Sequence, residues 1–183
     1  MPEVTLRRVP LAEKNVFSGY FQDYLDELSR LNGARRNRQG QFEYRLYDRY
    51  WEDETFMPFF VERRAERVGL VLLRELPAHE SPTGDRALQV AEIHTFCPHR
   101  RRGVARQTMR LAAQIAEDRR MPLTWSAYMN NGPAVALYRQ VLREYEEKDG
   151  TWITRCTRGI DRSGLARFYY QMHPAAASRT EET

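Results

Sequence analysis

The stretch Arg100-Arg101-Arg102-Gly103-Val104-Ala105 joins an apolar, strand-like segment ending near Phe96 to a long amphipathic helix, and it is suited to binding an anion. At a helix start the first backbone N–H groups lack intrahelical partners, the helix dipole adds partial positive charge, and a glycine lets a phosphate approach the backbone. Gly103 and the small Ala105 supply that access whichever arginine points inward. Upstream, Glu92 and His94 stand two residues apart on one face of the same strand, where a carboxylate or an imidazole could take up a proton. Downstream, Tyr138 places a phenol on a second helix. His94, Cys97 and His99 resemble a metal cluster in composition only. In an extended segment His94 lies on the opposite face from the other two, so no metal is expected.

The pattern Arg100-x-x-Gly103-x-Ala105 resembles the Q/R-x-x-G-x-G/A signature of the GNAT superfamily of N-acetyltransferases. Asn131-x-x-Ala134-x-x-Leu137-Tyr138, after the strand-like Leu123 to Tyr128, resembles the fourth-helix motif of the same family. Two motifs in order carry the resemblance over about residues 87 to 142. Ala91-Glu92-Ile93 with the arginine turn, preceded by Tyr50-Trp51, is similar to a bacterial subgroup of predicted acetyltransferases.

The resemblance implies that acetyl-coenzyme A is a co-substrate, its pyrophosphate on the amides of Arg101, Arg102, Gly103, Val104, Ala105 and Arg106 with Arg100 beside them. It places the pantetheine arm along the splayed end of the fourth strand, about Thr95 to Pro98, with Phe96 and Cys97 in contact. Pro98 precedes Arg100 by two residues where many family members have three, which could shift the roles of Arg100 to Arg102 by one. Asn131 and Ala134 fall beside the donor, and Tyr138 matches the tyrosine that protonates the departing thiolate. Two bland readings stand beside these: Tyr138 as a core aromatic in its helix's apolar stripe, and Asn131 as an N-cap.

An amine of pKa about 10.4 costs roughly 4 to 5 kcal/mol to deprotonate at pH 7, so transfer needs a base or a water relay. Glu92, which matches the acidic residue of the similar subgroup, is the first candidate. His94 is the second, and either could instead be a partnered polar residue of the sheet.

The 183 residues, 42% of them hydrophobic, suffice for one buried domain and are few for two. Residues 1–173 are expected to form that domain, with 174–183 a disordered tail lacking apolar anchors. A net charge of +4 suits a polyanionic co-substrate without requiring nucleic acid. Cys97 and Cys156 are expected to be reduced thiols. Without a signal-like or membrane-spanning run the protein is expected in the cytoplasm, off the membrane, and a homodimer is compatible with this reading.

The elements that must position these groups follow from periodicity. Val4 to Val9 alternates as a strand. Val16, Phe17, Tyr20, Phe21, Tyr24, Leu25, Leu28 and Leu31 recur at helical spacing and stop at Asn32-Gly33. A basic loop, Ala34 to Gln41, precedes the aromatic and acidic stretch Phe42 to Phe60, which is either an acceptor wall for a cationic amine or a packed helix face. Pro58 to Glu62 and Val68 to Leu76 read as paired strands turning near Ala65-Glu66, and Ala87 to Cys97 as the next strand after a loop at Pro77 to Asp85. A helix follows Gly103 and ends before Pro122. A strand covers Leu123 to Tyr128, a helix follows Asn131, and closing strands lie between Tyr145 and Met172, with turns at Asp149-Gly150 and Asp161 to Gly164.

These readings converge on an α/β GNAT fold, a mixed and mostly antiparallel central sheet flanked by helices. The expected activity is direct acetyl transfer to a primary amine of a small molecule, lysine or N-terminus. The rivals are a non-catalytic acyl-coenzyme A sensor and an acetyltransferase directed at RNA, the latter suggested only by dispersed arginines such as Arg35, Arg36, Arg38, Arg63 and Arg64.

Overall fold

The computed structural model describes residues 3–147 and 152–174. β1 (Thr5–Arg8) leads through a 3-10 turn into α1 (Lys14–Asn32), whose Phe17, Phe21 and Leu25 are buried. Gly33 ends that helix in the left-handed region at φ 71°, its N–H returning to Ser29 O. The stretch from Phe42 resolves into one turn of helix, α2 (Arg49–Glu52), before β2 (Phe56–Arg63) begins. β2 and β3 (Glu66–Leu76) form a hairpin whose turn sits on Arg64 and Ala65, both at positive φ, one residue earlier than the sequence suggested. β4 (Ala87–Thr95) stops two residues short of Cys97, because Cys97–His99 coils into a 3-10 turn. Then come α3 (Val104–Asp118), β5 (Leu123–Tyr128), α4 (Gly132–Glu146), β6 (Trp152–Ile160) and β7 (Ala166–Pro174). The turn expected at Asp149-Gly150 and the tail beyond Pro174 lie outside the described residues. Pro174 itself closes β7, paired with Trp152.

The seven strands form one sheet in the order β1-β2-β3-β4-β5-β7-β6, antiparallel everywhere except between β4 and β5. The helices lie on both faces. On one face α3 and α4 press Val104, Met109, Ala112, Val135, Tyr138 and Val141 onto Leu73, Leu88, Trp125 and Tyr170. On the other, Phe17, Phe21 and Leu25 of α1 and Tyr50 of α2 cover Phe56, Phe60, Leu70 and Leu72.

Two irregularities in this sheet shape the site. Leu72 pairs with Glu92 but Leu73 with Val90, so Ala91 is an extra residue in β4, a β-bulge. Strict alternation would put Glu92 on the face of Leu88 and Val90, against α3 and α4; the bulge moves it, and His94 with it, to the α1 face. The second irregularity is the parallel ladder of β4 with β5, which holds only from Leu88–Leu123 to Val90–Trp125. Beyond those pairs the two strands diverge, and β5 stays with β7 as far as Tyr128–Arg167.

Candidate active site

The start of α3 follows the end of β4 through a short turn that Arg100 ties back to Thr95 O. Gly103 is the N-cap, left-handed at φ 73°, and as a glycine it brings no capping side chain of its own. Arg101 is also left-handed at φ 58°. This is an uncommon conformation for a residue with a Cβ, and it turns the chain sharply into the helix. The first-turn amides are therefore presented at the end of a four-turn helix, the arrangement that binds anions.

The arginines have different surroundings. Arg100 donates from Nε to Thr95 O (3.0 Å) and reaches Glu27 Oε2 of α1 (2.5 Å), tying the turn to the end of β4 and to the helix across it. Arg101 and Arg102 are exposed, and Arg102 O accepts from Arg63. Arg106 pairs loosely with Glu144 of α4 (3.4 Å), leaving its Nε buried and unpartnered among the described residues. Val104 is buried under the sheet and Ala105 is half-buried. Phe96 stacks on Tyr20 with centroids 4.7 Å apart and gives its N–H to Val68 O, so its ring belongs to the α1 core. Cys97 and Cys156 are free, exposed thiols. The last extended residues before the 3-10 turn are therefore Thr95 and Phe96, and the strand edge beside the split is Ala91 to Thr95, upstream of the Thr95 to Pro98 segment expected.

Glu92 and His94 reach the split from the α1 face. Tyr24 Oη donates to Glu92 Oε2 over 2.5 Å. Burial pushes the Glu92 carboxyl above the usual range, opposed by hydrogen bonding from Tyr24, by Arg167, by Tyr44 and by Arg74. The His94 ring packs against Tyr24 (5.0 Å) and Phe96 (5.9 Å), and burial pulls its pKa down to about 4. The imidazole is neutral at pH 7 and weakly basic.

Tyr138 approaches from the opposite face. It is 5% exposed, its ring edge-on to Trp125 (6.0 Å) and Tyr170 (5.4 Å). Its phenol is raised by burial, then by the nearby Glu92 charge and Tyr170, which keeps it protonated. Asn131 caps α4, its Oδ1 accepting from Ala134 N at 3.3 Å, and Ala134 is half-buried below.

Most of the aromatic stretch is core. Phe42, Tyr50, Phe56 and Phe60 are buried. Asp48 pairs with Lys14, and Asp53 with Arg49. Only Tyr44 acts on Glu92 from the segment before α2. Among the described residues no group of His, Cys, Asp and Glu is arranged to hold a metal, and no helix is long and apolar enough to cross a membrane.

The sequence matches the acetyltransferase (GNAT) family over residues 21–142, two thirds of its length. The chain belongs to that family. Solved GNAT structures share the fold. A ribosomal-protein-alanine N-acetyltransferase from Brucella melitensis biovar Abortus 2308 superposes with a TM-score of 0.56 at 23% identity, covering 75% of this chain and 89% of its own. Arabidopsis thaliana NAA60 in complex with acetyl-CoA gives 0.58 at 13% identity, covering 92% and 97%. Aminoglycoside acetyltransferase AAC(6')-Ib in complex with coenzyme A gives 0.62 at 15% identity, covering 98% and 100%. Comparison with curated protein sequences gives no match.

Two features beside this candidate site are not marked in the sequence. Tyr24 reads in the sequence only as one more apolar position of α1, because helical spacing cannot tell a core tyrosine from one whose hydroxyl meets a carboxylate across the fold. The sequence locates the β6–β7 hairpin but marks no role for it. There Asp161 accepts from Ser163 N and Leu165 N and pairs with Arg167 (2.7 Å), which in turn donates to Ser126 and lies over the Tyr128 ring. An open surface hollow of about 380 Å³ lies there, lined in part by Ser126, Asp161, Arg167 and Tyr169. The Asp161-x-Ser163-Gly164 turn signature was the available signal.

Proposed function

We propose that this GNAT protein transfers an acetyl group from acetyl-coenzyme A to a primary amine by direct attack within a ternary complex. The observation that carries the reading is the split between β4 and β5, with α3 opening on a glycine N-cap just after β4 and Tyr138 near enough to Glu92 for that carboxylate to raise its phenol. The residues fit the co-substrate. The amides from Arg101 to Arg106 suit its pyrophosphate, the Ala91 to Thr95 edge suits a pantetheine amide chain, and Thr95 Oγ1 is buried without a partner among the described residues. Acetyl-coenzyme A supplies the activated thioester.

The protein's own groups do the rest. Glu92 takes the proton of the acceptor amine, directly or through water, as the N–C bond forms. Burial raises its carboxyl above the usual carboxylate range, which makes it a stronger base than an ordinary glutamate, whereas burial lowers His94 to about 4 and makes it a weaker base than an ordinary histidine. As the C–S bond breaks, Tyr138 donates a hydrogen bond to the developing thiolate. Between an ordinary phenol near 10 and a thiol near 8.5, full proton transfer is uphill by roughly 2 kcal/mol. Burial of Tyr138 enlarges that gap, so the donor role outweighs complete transfer. No covalent nucleophile is required.

Gly103→Glu tests the reading. A carboxylate side chain at the N-cap occupies the anion position and repels phosphate, so calorimetry is expected to detect no acetyl-coenzyme A binding while circular dichroism stays that of the parent. Binding as tight as the parent's would overturn the assignment. Release of coenzyme A across a panel of amines and peptides then identifies the acceptor.

A further inference from the structure

The best-formed hydrogen bond to Glu92 comes from a different element. Tyr24 Oη reaches Oε2 over 2.5 Å, and the ring that carries it is held by Phe21 at 5.8 Å and His94 at 5.0 Å. Packing on both sides therefore sets the direction of the hydroxyl. We propose that Tyr24 is a positioning residue for acetyl transfer, its hydroxyl holding Glu92 in the orientation and the ionised form in which the carboxylate accepts the proton of the amine.

The physical need for such a donor follows from the bulge. By turning Glu92 away from the apolar α3–α4 face, the bulge leaves it on a strand whose cross-strand neighbour is the buried Leu72. An enclosed carboxyl beside aliphatic side chains favours its neutral form, and a neutral acid cannot take a proton. The groups that face it are Tyr24 from α1, Tyr44 from the segment before α2, Tyr50 from α2, Arg74 from β3, Arg167 from β7, Tyr138 from α4 and the neutral His94 on its own strand. Arg167 is already bound to Asp161 and Ser126, and Arg74 to Gln89. Tyr44 also hydrogen-bonds the carboxyl, with a smaller effect on it than Tyr24, whose hydroxyl makes the short contact to Oε2; a hydrogen bond to a charged acceptor is stronger than a neutral one. The bond also fixes one carboxylate oxygen, so that the plane of the group is set before an acceptor arrives.

This inference rests on Glu92 being the base, and kcat/KM profiles against pH for the parent, Tyr24→Phe, Glu92→Gln and the double variant separate the two. Tyr24→Phe keeps the ring against Phe21 and His94 while deleting the donor. The acidic limb is expected to move upward by about one pH unit, giving roughly tenfold lower kcat/KM below the parent midpoint and recovery above it. Glu92→Gln is expected to abolish that limb, with activity rising as free amine becomes available, and Tyr24→Phe should then add no further loss. If Glu92→Gln leaves the profile unchanged, the base assignment itself is wrong. If Glu92→Gln changes the profile but the Tyr24→Phe midpoint stays at the parent value, or its loss is equal at every pH, the base stands and the role of Tyr24 is refuted. Should Tyr24→Phe fail to fold, 3-fluorotyrosine at position 24, a stronger donor on the same ring, must move the midpoint down; an unmoved midpoint refutes the proposal equally.

Discussion

Tyr138 presents the sharpest contrast between packing and chemistry at the scale of a residue. Its ring completes a cluster with Trp125 and Tyr170, yet its hydroxyl is influenced by Glu92 across the split. Stability comes from the ring, and any chemistry comes from the oxygen. Tyr138→Phe is therefore expected to lower kcat by about 10²-fold, in the range of general acid contributions. Its melting temperature should stay near the parent's, since the ring that packs against Trp125 and Tyr170 is kept. An unchanged kcat would return Tyr138 to the core alone.

The decisive contact between elements is the close approach of β3 to β4. Gly69 pairs with Thr95 at the end of the ladder, and a Cβ on Gly69 would fall far inside contact distance of the His94 carbonyl oxygen. That neighbour is backbone and cannot rotate away. Gly69→Ala must push the end of β4 aside, together with His94 and the Thr95 carbonyl that anchors Arg100. Overpacking of this kind costs about 1–3 kcal/mol. In a chain of this size each kcal/mol lowers the melting temperature by roughly 2–4 °C. A thermal melt matching the parent's would show that the strands are not so tightly apposed. Transfer activity should fall with stability, because β4 carries both Glu92 and the edge beside the split.

For the whole molecule, stability against pH reports how the site is enclosed. His94 has a folded pKa of about 4 against 6.5 when unfolded. The unfolded chain takes up its proton first, so the His94 contribution is complete above about pH 6.5 and is lost as pH falls through 4, up to about 3 kcal/mol. Glu92 has the opposite sign: its raised folded pKa favours the folded state at low pH, and that contribution is lost as pH rises through the folded value. The two partly cancel in the parent, so a single acid melt reads neither. The difference in unfolding free energy between pH 7 and pH 4.5 should be smaller for His94→Gln than for the parent. Equal differences would mean that His94 titrates as an exposed histidine.

Local sequence determined much of this protein because its signals are local. Gly103 after three arginines specifies a left-handed N-cap and an open first turn, Asn131 caps α4 as its side chain allows, and the Leu123 to Tyr128 strand carries its own apolar pattern. The spacing of those two motifs was enough to point to the GNAT family and to an α/β sheet with helices on both sides. The rest depends on partners distant in the chain. The bulge at Ala91 exists only in the register of β4 against β3, and it alone decides that Glu92 faces α1. Tyr24 and Glu92 are 68 residues apart, so no periodicity within α1 could distinguish that hydroxyl from its apolar neighbours. Phe96 and Arg100 stand beside the glycine turn in sequence, but Phe96 stacks on Tyr20 and Arg100 pairs with Glu27, because α1 crosses above them. Backbone conformation is set by neighbouring residues, whereas the surroundings of a side chain are set by whichever element the fold lays against it, and that is where the tertiary structure alone decided.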